Sequence, residues 1–174
     1  MKKTLILFIL LSISLLNNAQ VSNYDSFIKK GLDCYSKGLT QEAMNEFQLA
    51  HSLDSNRVES YYYTGVVIAD ICHQSGQSCD GAIEMLTTSI NINPTFRKAY
   101  YNRGVCLLRI NYLKDAIQDF NEAIKIDPTN GNAYCNRGLA KIKLGDKTVG
   151  CQDIEKGTGL NSKLGPALQK QYCK

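Results

Sequence analysis

What this chain lacks narrows its function first. It holds only two histidines, His51 and His73, and no Cys-x-x-Cys pair. Structural zinc sites take four cysteine or histidine ligands. Cys72-His73 with Cys79 supplies three at most, so no metal is expected. A cysteine nucleophile needs a base held against its thiol, which the same scarcity disfavours. No run of five like charges occurs. Acidic tails, basic arms and polybasic membrane patches are built from such runs. No glycine-rich phosphate loop follows a strand, because no strand pattern is evident. The expectation is no cofactor and no enzymatic activity.

The N-terminus reads as a leader. Lys2 and Lys3 precede an apolar stretch from Leu5 to Leu16, broken only by Ser12 and Ser14, and Ala19 closes a short polar segment. That is the layout of a secretory signal peptide over residues 1–19. A membrane span needs about 20 apolar residues. Residues 20–174 are then expected as a single exported domain, periplasmic or secreted. Of the 20 basic side chains, Lys2 and Lys3 leave with the leader, and 18 remain against 16 acidic ones. So even a balance carries no concentrated basic face for nucleic acid. Seven cysteines in an exported chain suggest disulfides, and the odd number leaves one thiol over.

The strongest signal is internal repetition. Gly31, Gly65, Gly104 and Gly138 are spaced by 34, 39 and 34 residues. Ala43, Ala82, Ala116 and Gly150 follow at 39, 34 and 34. A period near 34 marks a stack of helix pairs. The small residues let paired helices approach closely. In the third unit Ala116, Phe120 and Ala123 share one helical face. Asp127-Pro128 ends that helix, since proline cannot continue it. Approximate units are 24–56, 58–96, 97–130 and 131–162. The second carries a five-residue insertion around 73–79. Beyond them, Leu164, Leu168 and Tyr172 are spaced by four. They predict an amphipathic capping helix within 163–174, with Pro166 in its first turn.

The aromatic, Gly, Ala, aromatic, Ala, Pro series of these units resembles the tetratricopeptide repeat family, and the Gly150-Cys151-Gln152-Asp153 and Gln171-Tyr172-Cys173 endings resemble repeat proteins exported by Bacteroidetes-like bacteria. The first resemblance covers nearly all of 24–162. It implies an all-α solenoid of about four antiparallel helix pairs, a concave groove lined by the first helices, and protein or peptide binding. The groove positions so implied are Glu59, Tyr62, Tyr63, Val66 and Asp70 in the second unit. The third offers Lys98, Tyr101, Asn102, Val105 and Arg109. The fourth offers Asn132, Cys135, Asn136, Leu139 and Lys143. Asn102 and Asn136 stand one unit apart. Their amides either engage an extended peptide backbone or bond to the neighbouring unit; both readings stay open. The carboxylate clamp of some relatives needs Lys and Asn where this chain has Ile28 and Leu32.

A covariation within the chain adds a second expectation. Lys30, Thr64, Arg103 and Arg137 each follow the first-helix aromatic by three. Glu46, Met85, Asp119 and Asp153 stand opposite. Charge is kept on both sides in three units and lost from both in the second, which predicts three ion pairs between facing helices. Among the cysteines, Cys72 with Cys79 would staple the insertion, expected as an extended loop, and Cys151 with Cys173 would fasten the cap. Closing a short loop contributes about 2–3 kcal/mol. Cys34, Cys106 and Cys135 are expected as small buried hydrophobes. The function expected is a non-enzymatic interaction scaffold binding a protein or extended peptide in the groove. Two alternatives stand beside it: a structural or oligomerising envelope component acting through its convex face or cysteines, and a thiol-redox or metal-binding protein.

Overall fold

The computed structural model describes residues 21–174, and these form helices joined by short turns, with no strand among them. The leader expected at 1–19 lies outside the described residues. Residues 21–36 form α1, Thr40–Leu53 α2, Val58–Ser75 α3 and Asp80–Ile92 α4. Arg97–Arg109 form α5, Leu113–Ile126 α6, Gly131–Lys143 α7, Lys147–Gly159 α8 and Gly165–Tyr172 α9. Consecutive pairs α1/α2, α3/α4, α5/α6 and α7/α8 are the four units, and α9 follows them.

Local chemistry sets the breaks. Each turn inside a unit passes through the left-handed region, at Gly38, Gly76, Asn111 and Gly145 (φ 76°, 71°, 65° and 99°). Glycine and asparagine reach that region most readily. Between units, Asp54, Asn93 and Asp127 each accept a backbone N–H from two residues on, at 3.0–3.1 Å. That Asx turn, with Pro94 and Pro128 in two of the three cases, turns the chain into the next unit.

The small residues act where the repeat predicts. A Cβ on Gly104 would fall 2.8 Å from the Phe120 ring. On Gly138 it would overlap the Gly150 carbonyl oxygen. Unit four thus brings two backbones together where unit three brings a backbone to a ring. Ala43, Phe47, Ala82, Leu86, Ala116, Phe120, Ala123 and Ile154 are fully buried along the second helices. Each unit therefore buries its own seam, and neighbouring units share the rest.

Helix α5 touches both α3 and α7, whereas no two of α4, α6 and α8 touch. The stack therefore curves with the odd helices inside, and they line its concave face.

Two expectations change. The insertion is not an extended loop. Helix α3 has 18 residues where α5 and α7 have 13, so the five extra residues lengthen the helix and Cys72 lies within it. In the capping helix only part of the Leu164, Leu168 and Tyr172 stripe packs: Leu168 and Tyr172 are half-buried. Leu164 is 40% exposed, and Gly165 is the buried residue. A Cβ there would overlap the Thr158 hydroxyl. The cap seats through a small residue because a larger one would collide with α8.

Candidate functional site

Two hollows occupy the concave face. One, of about 500 Å³, is bordered by Tyr62, Lys98, Tyr101, Asn102 and Asn132. The other, of about 340 Å³, is bordered by Val66, Asp70, Asn102, Val105, Arg109 and Asn136. Asn102 belongs to both and joins them. Ten of the fifteen proposed groove positions are thereby brought together.

The rest fall elsewhere. Glu59 lies 3.6 Å from Arg57 at the start of α3. Tyr63 stacks on Phe47 at 5.4 Å and belongs to the core. Leu139 packs against the cluster around Leu108 and Phe120. Lys143 is exposed near the end of α7 and borders neither hollow. Cys135 also fails as a groove residue: it is fully buried, against Gly157. Tyr63 and Leu139 turn inward because adjacent helical positions lie about 100° apart; neighbours of a groove residue face the core.

The asparagines are held from behind. Asn102 Nδ2 donates to the Tyr62 hydroxyl at 3.0 Å, and Asn136 Nδ2 to the Tyr101 hydroxyl at 3.2 Å. Each bond crosses from one unit to the one before it. Bonding to the neighbouring unit is therefore realised, but it uses only an amide proton. Each amide oxygen keeps acceptor capacity and each tyrosine keeps its own proton to donate. Burial raises the pKa of both phenols, against the pull of the asparagine hydrogen bond. They stay protonated across the physiological range.

The charged groove residues are also tied. Asp70 accepts the Tyr35 hydroxyl of α1. Burial, then that carboxylate, pushes the Tyr35 pKa up. Arg109 Nη2 reaches the His73 carbonyl of the lengthened α3 at 3.4 Å.

Sequence reasoning missed the loops. Arg97, Asp127, Asn130, Asn161 and Ser162 border the larger hollow. Arg97 pairs with Asp127 across two successive unit boundaries. The recurring Asp54, Asn93 and Asp127 were a usable signal, since they fix where each loop turns toward the groove.

Two of the three predicted ion pairs form. Arg103 contacts Asp119 through both nitrogens at 2.7 and 2.8 Å, and Arg137 contacts Asp153 likewise at 2.6 and 2.8 Å. Arg103 and Arg137 are thus structural, facing away from the hollows. The third pair is absent. Lys30 Nζ sits over the Phe27 ring, 5.2 Å from its centre, and Glu46 Oε2 is buried without a hydrogen-bond partner. A lysine offers a point charge on a flexible stem, not the planar fork that locks onto a carboxylate.

Cys72 and Cys79 lie at disulfide distance (Cα–Cα 5.5 Å), as do Cys151 and Cys173 (5.6 Å). Cys106 and Cys135 are buried, while Cys34 is half-buried. Among the described residues no three His, Cys, Asp or Glu side chains gather as a metal group.

Sequence comparison bears on the C-terminal part of the chain. A family described as "TPR repeat" matches residues 107–145, and one described as "Tetratricopeptide repeat" matches 131–164. Residues 107–164 are tetratricopeptide repeat sequence. The solenoid as a whole has the tetratricopeptide architecture of several solved structures. One is a crystal structure of MamA, 24% identical, with a TM-score of 0.71 over 88% of this chain and 86% of that one. MamA from Desulfovibrio magneticus RS-1 is 20% identical, with a TM-score of 0.69 over 79% and 75%. PilF of Pseudomonas aeruginosa is 19% identical, with a TM-score of 0.74 over 86% and 66%. No curated protein matches the sequence. At such identities the likeness shows the fold alone. Tetratricopeptide repeats typically bind protein partners, and among the described residues no helix is long and apolar enough to cross a membrane.

Proposed function

We propose that this chain is an exported scaffold that binds an extended segment of a protein partner along its concave face, across the two hollows between α3, α5 and α7. One observation carries the reading: Asn102 and Asn136 are fixed one unit apart, each pinned by a tyrosine of the preceding unit, with an amide oxygen left to accept. Holding an amide in one orientation lowers the entropy lost when a ligand binds. Repeating it at one-unit spacing suits a backbone lying along the groove. The half-buried Tyr101 supplies aromatic contact area beneath.

Export is supported by the composition of residues 1–19 and by the two cysteine pairs at disulfide distance, which suit an oxidising compartment. The partner is then an envelope or extracellular protein.

The test is a capture from envelope extract with wild type and with Tyr101→Ala/Asn102→Ala/Asn136→Ala, circular dichroism confirming that the variant folds. Loss of the captured partner is expected. A folded variant that keeps every partner sinks the groove reading. Fractionation of the native host tests export: protein retained with its first 19 residues in the cytoplasm overturns that part.

A further inference from the structure

Arg103 and Arg137 do more than pair with an acid. Each crosses from its own unit to the second helix of the unit before it. Arg103 Nη1 reaches Thr87 of α4 at 3.0 Å, and Arg137 Nη1 reaches Asn121 of α6 at 2.7 Å. Each guanidinium also lies near a tyrosine ring of its own helix, 5.9 Å from Tyr100 or 5.2 Å from Tyr134. One flat cation thus fills the space between three helices.

In unit two the same four positions read Thr64, Met85, Gln48 and Tyr61. The ring and the second polar partner remain, but the arginine and its carboxylate are gone. Thr64 is too short to cross the gap. A cavity of about 260 Å³ stands there, bordered by Met44, Gln48, His51, Tyr61, Thr64 and Met85 among others, none of them an acid, lysine or arginine. His51 packs edge-on to Tyr61 at 4.7 Å, and its Nδ1 is buried with no hydrogen-bond partner. The cavity is bordered mainly by α2, α3 and α4 on the side away from the groove.

We infer that this cavity is a second binding site, on the convex face, for one neutral aromatic side chain of a protein partner, with tyrosine the best fit. Size admits a ring: a cavity of about 150 Å³ holds benzene. Sign excludes a cation, because a guanidinium entering would be desolvated with no carboxylate to meet it. Shape favours a planar group, since the equivalent spaces hold a flat guanidinium beside a tyrosine. The thioethers of Met44 and Met85 make good contacts with ring edges. Gln48 offers hydrogen bonds to a phenolic hydroxyl.

The chain contains three methionines, two of them at this cavity, so methyl-labelled methionine gives a direct report by NMR. N-acetyltyrosine amide, titrated to millimolar concentration, should shift both the Met44 and Met85 methyls and saturate. Methylguanidinium at equal concentration should move neither. Thr64→Arg, which refills the space, should weaken the tyrosine probe at least tenfold at the Met44 methyl. Should that variant not fold, Thr64→Leu fills the same space without a charge. Asn102→Ala should leave the shifts unchanged, which separates this site from the groove. The proposal is overturned if neither methyl shifts, if methylguanidinium shifts them as strongly, or if the filled variants bind as wild type does.

Discussion

Units two and three share one plan and differ at one seam. In unit three Arg103 and Asp119 close the space between helices; in unit two Thr64 and Met85 leave it open. Both charges vanish together, which is what burial demands. A lone buried arginine or aspartate costs several kcal/mol, whereas replacing both by uncharged groups is nearly neutral. Unit one shows the third outcome. It keeps Lys30 and Glu46 but separates them, and the carboxylate oxygen is buried unpaired. The position therefore occurs with a full pair, with no charge, and with both charges apart where lysine stands in for arginine.

Removing one partner should give the largest effect. Asp119→Ala leaves Arg103 facing an empty seam and should cost about 3 kcal/mol, a fall of roughly 10 °C in the thermal melt at about 2–4 °C per kcal/mol. A drop under 2 °C would mean that water already screens the pair.

Next comes the contrast between backbone and ring contacts. Gly138→Ala should cost about 2 kcal/mol because the Gly150 carbonyl cannot yield, and Gly104→Ala about 1 kcal/mol because the Phe120 ring can tilt. Equal losses in denaturant titration would erase the distinction between units four and three.

Rebuilding the pair in unit two is subtler. Thr64→Arg alone and Met85→Asp alone should each destabilise, and the double variant should recover a coupling of about 1 kcal/mol. A cycle that sums to zero breaks the equivalence between units.

The smallest effect lies in acid titration. Burial works against both Asp119 and Asp153. In unit four hydrogen bonds from Arg137 and Lys141 together outweigh it and hold Asp153 below its ordinary value of 3.8. In unit three Leu107 stands where Lys141 does, and Asp119 lies above that value despite Arg103. A lowered pKa gives stability that is present above the unfolded value and lost as pH falls through the folded one. A raised pKa works the other way: its contribution is present below 3.8 and fades as pH rises through the folded value. Acidification below about pH 4 therefore costs stability through Asp153 and not through Asp119. Leu107→Lys should move the Asp119 midpoint down in carboxyl NMR; an unmoved midpoint would show that the second cation is not the cause.

The fold was legible because its signals repeat. Gly104 alone says little; four small residues in phase with four partners on facing helices specify a stack. Arg103 with Asp119 and Arg137 with Asp153 could be paired from the sequence alone because a charge and its partner change together. Lys30 with Glu46 followed the same pattern and failed, since a charge pattern carries no geometry. The groove was half legible. Asn102 and Asn136 were placed beside Tyr62 and Tyr101, but the bonds between them were not, because they join residues 40 and 35 positions apart. Asn130, Asn161 and Ser162 were missed because loops carry no period. The insertion was misread because glycine and serine near Cys79 signal a loop, while the helix ran on to Ser75 before them.

That lengthened helix bears on direction. By the repeat spacing α5 ends level with Asp70, so Ile71 to Ser75 have no counterpart further along. Five residues add about 7 Å of helix, propped by Arg109 at the His73 carbonyl and tethered where Cys72 meets Cys79. An array of like units has no origin: a strand lying in it fits as well one step over. A single overhang supplies a landmark, and with it a fixed address for whatever lies alongside.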